Sequence, residues 1–148
     1  METGKTAEQF VRKLLLVMPN WHSKLVRPFK ETLNREMSLE TYYCLETLKV
    51  SGTATMTELA RQLKVPKQQV TKLVDKLWEY GFVERATDQG DRRVIQIRLT
   101  PRAVAYLDEY YLKNTDFIQS LEEQLTEEEM QELCRAAGVL ERILPKLK

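Results

Sequence analysis

The chain has 148 residues, a mass of 17.4 kDa and 43% hydrophobic content, which suits one domain with a core of its own. One histidine, two distant cysteines and five glycines leave no His-Glu-x-x-His, no paired Cys-x-x-Cys and no glycine-rich phosphate loop, so neither catalysis nor a bound metal or cofactor is expected. Net charge is +1, the apolar run Val11 to Met18 is too short for a bilayer, and Cys44 and Cys134 suit a reducing compartment, so a soluble cytoplasmic protein without a membrane role is expected.

At the N-terminus, Phe10, Leu14, Val17, Trp21 and Leu25 recur every three or four residues, as on one face of a helix. Pro19 and Pro28 fall inside that run and predict kinks or two helical pieces. The next helix is expected to start with Ser38 as its cap, to carry Tyr42, Tyr43, Leu45 and Leu48, and to end at Ser51-Gly52.

From Thr55 to Thr100 each piece cues the next. Thr55 and Glu58 have capping-box spacing, so a short helix begins there and stops at Val65-Pro66, where the proline disfavours helical geometry in its predecessor. A second helix opens at Pro66 and places Val70, Leu73, Val74 and Leu77 on one face. Its other face holds Lys67, Gln68, Gln69, Thr71, Lys72, Asp75 and Lys76. Amides, a hydroxyl and cations of this kind suit base edges and phosphates, although a solvated helix surface has the same composition. Gly81 ends the helix, Val83 to Ala86 reads as a short strand, and Ile95, Ile97 and Leu99 alternate along a second strand after the turn-forming Asp88-Gln89-Gly90-Asp91. Two helices and a hairpin with Arg92 and Arg93 at its tip make a winged helix-turn-helix.

In the last third, Thr100 caps a helix with Pro101 in its first turn, and Val104, Leu107, Tyr111, Asn114, Ile118, Leu121 and Leu125 form one stripe. Thr126 and Glu129 form another capping-box pair, followed by Met130, Leu133, Ala137, Leu140, Leu144 and Leu147. Two such stripes call for a partner surface, either the N-terminal helix or a second copy of the chain, and the homodimer is favoured. Charge is divided along the chain. Thr57 to Leu99 carries nine basic and six acidic residues, net +3, whereas Asp108 to Lys148 carries five and ten, net −5. The cations therefore lie where the reading head is expected.

The blocks Met56-Thr57-Glu58-Leu59-Ala60, Val70 to Leu77, Gly81-Phe82-Val83-Glu84-Arg85, and Asp91-Arg92-Arg93 followed by Leu99-Thr100 together resemble the multiple-antibiotic-resistance regulator (MarR) family of bacterial transcription factors, in family order and spacing. The resemblance implies a mainly α fold with a small β-hairpin wing, in a single domain over 1–148. Residues 37–100 would be the DNA-binding winged helix-turn-helix, and 1–36 and 101–148 the intertwined dimerisation helices. It implies that the Pro66 to Tyr80 helix enters the major groove of a pseudo-palindromic operator. Of the wing residues, Arg92 would enter the minor groove while Asp91 and Arg93 brace the tip, or the two arginines exchange roles. The sequence departs from the family pattern at Pro66, where a capping Ser is usual, at Lys64, where Gly is common, and at Gly90, which is often charged.

Family members are most often repressors, and commonly take small phenolic or anionic effectors between the dimerisation helices and the reading head. On this chain such a pocket is expected near Trp21, His22, Tyr42, Tyr43 and Tyr111, which also read as ordinary core aromatics. Two rival functions use the same fold: a protein-interaction module that binds an acidic partner, and a thiol-based redox sensor. For the second, Cys44 and Cys134 sit in expected helices among apolar neighbours, so buried, inert thiols are expected.

Overall fold

Helix α1, Glu2–Trp21, continues through Pro19 and passes into a π-helical segment, His22–Val26, where the amide of Arg27 reaches back to the carbonyl of His22. Helix α2, Arg27–Leu33, follows at once. Pro28 has no amide to offer the preceding turn, and a widened turn just ahead of it accommodates the missing bond. The proline-containing run is thus helical in three stretches, with the local adjustment at the second proline. The computed structural model describes residues 2–33, 36–87, 90, 93–110 and 114–148, in two units, Met1–Tyr110 and Tyr111–Lys148.

In the first unit, helix α3, Leu39–Ser51, starts where the Ser38 side chain accepts the Thr41 amide at 3.2 Å, and ends at Gly52 with φ 82°. Strand β1, Thr53–Ala54, leads into helix α4, Met56–Leu63. The expected capping box is present: the Glu58 amide donates to Thr55 Oγ1 at 3.1 Å and the Thr55 amide to Glu58 Oε2 at 3.1 Å. Helix α5, Lys67–Glu79, strand β2, Val83–Thr87, strand β3, Ile95–Leu99, and helix α6, Pro101–Tyr110, complete the unit.

The hairpin is part of a larger sheet. Strand β1 pairs antiparallel with β3 through Thr53↔Arg98 and Ala54↔Ile97, giving the strand order β1-β3-β2. Leu45 and Leu48 of α3, Leu59 of α4, Val70, Val74 and Leu77 of α5 and Ile97 of β3 are all fully buried in one core. Each such side chain contributes about 1.5–3 kcal/mol relative to exposure, and the core locks α5 against α3, α4 and the sheet. The apolar face read from the sequence of α5 is therefore its inner face.

In the second unit, helix α7, Thr115–Gln124, and helix α8, Glu127–Ile143, are joined through Leu125 and Thr126, and α8 ends in a 3-10 turn, Leu144–Lys146. The second capping box also forms, with Glu129 N donating to Thr126 Oγ1 at 3.1 Å and Thr126 N to Glu129 Oε1 at 3.0 Å. That backbone bond holds the Glu129 carboxyl below its ordinary range. The stripe expected to run on from Val104 to Leu125 is divided between α6 and α7, and the expectation for Tyr111 lies outside the described residues.

Candidate nucleic-acid interface

Helix α5 has an unusual entry. Lys64 closes α4 in the left-handed region at φ 56°, and Val65 N donates to the Ala60 carbonyl at 3.1 Å. Pro66, at φ −59° and ψ 146°, gives α5 no side-chain cap; its carbonyl instead accepts the amides of Gln69 at 3.0 Å and Val70 at 3.2 Å. Backbone bonds thus close the turn between the two helices in place of a side-chain cap, and a lysine occupies a conformation that suits glycine.

With the inner face committed to the core, Lys67, Gln68, Gln69, Thr71, Lys72 and Lys76 are all exposed, on one continuous outer face of α5. The Thr71 hydroxyl donates to the Lys67 carbonyl at 3.0 Å, so its proton is already engaged. Helix dimensions allow a face of this kind to lie in a major groove, with lysines towards phosphates and glutamines towards base edges.

Strands β2 and β3 pair in register from Val83↔Leu99 to Thr87↔Ile95. The cross-strand pair Glu84 and Arg98 is an ion pair at 2.7 Å between half-exposed side chains. Of the three expected wing-tip residues, Asp91 and Arg92 lie outside the described residues, while Arg93 is exposed beside the start of β3. Two contacts not anticipated from the sequence tie the wing to α5: Arg85 Nη2 donates to Asp75 Oδ1 at 3.4 Å, and the Arg85 guanidinium lies over the Trp78 ring at 5.4 Å from its centroid.

The second expected site is a cleft of about 300 Å³ within the first unit, beside the π-helical segment. Trp21, Tyr42 and Tyr43 line it together with Tyr110, Phe29 and Leu25, whereas His22 is not among its lining residues. Its wall is almost entirely apolar. Burial, and then the hydrogen bond that Tyr42 Oη donates to Glu46 Oε1 at 2.9 Å, push the Tyr42 phenol well above its ordinary range, so it stays neutral. From the cleft a chain of rings runs Tyr42, Tyr110, Tyr106, Phe82, Tyr80, with successive centroids 5.1, 5.9, 5.1 and 5.7 Å apart, reaching the residue that caps α5. The Tyr106 phenol also donates to the Glu36 carboxylate.

Cys44 is fully buried, and burial pushes its thiol up to about 11. Cys134 is exposed on α8, which corrects the expectation that both thiols are buried. Helix α8 has no buried residue in the single chain, so the apolar stripe beside Cys134 gives the thiol nothing to be buried against. Among the described residues no group of three or more metal-ligating side chains is gathered, and no helix is long and apolar enough to cross a membrane.

The MarR family model matches residues 37–95, from the last residues before α3 to the start of β3. Among curated proteins, the chain is 29% identical over 104 residues to the uncharacterized HTH-type transcriptional regulator YsmB of Bacillus subtilis, covering 70% of this chain and 66% of that one. It is 25% identical over 127 residues to the HTH-type transcriptional repressor MdtR of the same organism, covering 85% and 82%. Among solved structures it is similar to wild-type MarR from E. coli in its apo form, at TM-score 0.62 and 26% identity over 80% of this chain and 87% of that one. A mutant of that protein in complex with operator DNA has the same fold, at TM-score 0.62 and 24% identity over 91% and 96%.

Proposed function

We propose, from the premise that this chain belongs to the MarR family of winged-helix transcriptional regulators, that it regulates transcription by binding double-stranded operator DNA as a homodimer, as a non-enzymatic protein of the cytoplasm. One observation carries the DNA-binding reading: α5 buries Val70, Leu73, Val74 and Leu77 and leaves Lys67, Gln68, Gln69, Thr71, Lys72 and Lys76 outward beside a cationic wing. In this reading Gln68 and Gln69 meet base edges, and Lys67, Lys72 and Lys76 neutralise phosphates. Asp91, Arg92 and Arg93 serve the wing tip. Residues 37–100 form the reading head, and 1–36 and 101–148 supply the dimer contacts. Named relatives include a repressor, and repression is the sign of regulation proposed for this chain.

The dimer is supported by unpartnered apolar surface. Phe10, Leu14, Val17 and Trp21 on α1 are exposed, as are Leu133, Val139 and Ile143 on α8. An apolar stripe left exposed along a helix marks an interface in soluble proteins, and burying it contributes about 25 cal/mol per Å². Two copies also meet two half-sites, which a single reading helix does not. Titrating a labelled duplex that the chain retains from a genomic or random pool, at several salt concentrations, tests the reading. Affinity is expected to fall steeply with salt, whereas a protein-interaction module prefers an acidic protein partner and is indifferent to the duplex.

The cleft lined by Trp21, Tyr42, Tyr43 and Tyr110 supports a second element, regulation by a small flat ligand. Its volume reaches the lower end of the range for ligand sites, and its apolar wall favours an aromatic over a strongly anionic molecule. Thermal-shift screening with aromatic compounds tests this part: a ligand that stabilises the wild type and not a Tyr43→Ala variant supports it. A thiol switch has less to support it, since Cys44 is buried with a raised thiol.

A further inference from the structure

Trp78 stands out on the outer face of α5. It is 51% exposed among lysines, glutamines and a threonine, and it shares a stripe with Thr71 and Asp75 at spacings of four and three residues. An indole costs free energy in water unless its face or edge has a use. Here the face has one, because the Arg85 guanidinium sits over it at 5.4 Å while donating to Asp75 at 3.4 Å.

The location of Arg85 gives that contact its meaning. Strand β2 leaves α5 through Gly81, at φ 73°, and alternates its side chains between the two sheet faces. Val83 and Arg85 therefore share a face. Val83 is buried in the core; Arg85, one step farther out, is exposed and reaches α5. Beyond Val83 no residue of β2 is itself buried: the strand is held through its pairing with β3, whose Ile97, opposite Arg85, is in the core, and Arg85 supplies the side-chain link from β2 to α5. The ion pair alone is a weak grip, since both side chains are about half exposed and the bond is long. The ring supplies a second contact for the guanidinium.

We propose that Trp78 is a positioning residue for DNA binding: its indole holds Arg85 at the base of the wing, so that β2 and α5 meet the duplex as one rigid surface. This rests on the DNA-binding reading. A Trp78→Leu change keeps an apolar side chain but removes the ring face, and a Trp78→Phe change keeps a smaller one. With a duplex retained by the wild-type chain from a random-sequence pool, Trp78→Leu is expected to bind about three- to tenfold more weakly, and Trp78→Phe within about twofold of wild type.

Salt dependence separates positioning from folding. A wing that no longer tracks its groove neutralises fewer phosphates, so the slope for Trp78→Leu becomes shallower, by about 0.9 for each phosphate no longer met. A variant that merely lowers the folded fraction keeps the wild-type slope. In the absence of DNA, a double-mutant cycle of Trp78→Leu with Arg85→Leu, read from denaturant midpoints, is expected to show coupling. The proposal is overturned by a Trp78→Leu variant with wild-type affinity and slope, by a Trp78→Phe variant as weak as Trp78→Leu, or by a cycle without coupling. A wild-type chain that retains no duplex overturns both the DNA-binding reading and the role of this residue, and a positive cycle in that case shows that the contact itself exists.

Discussion

The Thr100 hydroxyl donates to the Gly81 carbonyl at 2.7 Å, and the same oxygen accepts the Ala103 amide at 3.3 Å. One side chain thus ties the turn after α5 to the end of β3 and caps α6. The Thr100 amide adds a bond to the Phe82 carbonyl at 3.0 Å, so the base of the wing is closed on both sides. Removing the hydroxyl leaves a part-buried carbonyl unserved and a helix uncapped.

Thr100→Ala is therefore expected to lower stability by about 1–2 kcal/mol, and Thr100→Ser to recover most of it. Urea midpoints for the two variants check this. Equal losses would mean that the methyl group matters and the hydroxyl does not.

Lys64 holds φ 56° between α4 and α5. A left-handed backbone strains any residue with a Cβ by about 1 kcal/mol, and the greater freedom of glycine in the unfolded chain offsets part of the relief. Lys64→Gly is expected to stabilise the protein by a few tenths to about 1 kcal/mol, and thermal melts of the two proteins measure it. A loss of stability would show that contacts of the lysine side chain outweigh the strain.

On α5, Gln68 and Lys72 are assigned different tasks. Gln68→Ala is expected to relax preference at particular base pairs by about 1–3 kcal/mol, while Lys72→Ala weakens binding to all sequences alike and makes the salt slope shallower by about 0.9. Binding to a set of single-base operator variants at two salt concentrations resolves the pair. Reversed behaviour would mean that the helix sits in the groove rotated from the proposed pose.

Burial raises the Cys44 thiol from 9.0 to about 11. The folded state therefore keeps a proton that the unfolded state gives up between those values, so the stabilisation is complete below pH 9 and is lost as pH rises towards 11. The two raised tyrosines add a loss of the same sign that begins near their ordinary value of 10.0, within the same window, and continues above it. Denaturant midpoints from pH 8 to 11 are expected to fall for the wild type and to fall less for Cys44→Ala. Below pH 9, a thiol reagent is expected to label one cysteine per native chain, the exposed Cys134, and two after unfolding.

Features written in short-range chemistry are readable without the fold. Thr55 with Glu58, and Thr126 with Glu129, announce their helices because cap and partner lie three residues apart. The buried face of α5 follows from spacing alone. Strand β1 escapes such a reading, since two residues carry no periodicity and the pairing partner Arg98 is far along the chain. The Arg85 contacts escape it for the same reason: nothing in the order of residues says that a strand arginine will cross to Asp75 and Trp78. At the cleft, aromatic character points to Trp21, Tyr42 and Tyr43, while Phe29 and Tyr110 join them only because α2 and α6 are folded against α3. Cys134 is misread as buried because an apolar stripe buries a thiol only where something covers the helix, and no residue of α8 is buried in the single chain.

The central claim is that the outer face of α5 and the wing together read a duplex as part of a dimer. Its most direct test is the mass and stoichiometry of the complex with a selected duplex, measured by light scattering and by anisotropy over a range of salt. The account predicts two chains per duplex and an affinity that falls with a slope of about −0.9 for each phosphate contacted. A monomer that ignores every duplex at low ionic strength, or binds with no dependence on salt, would contradict it.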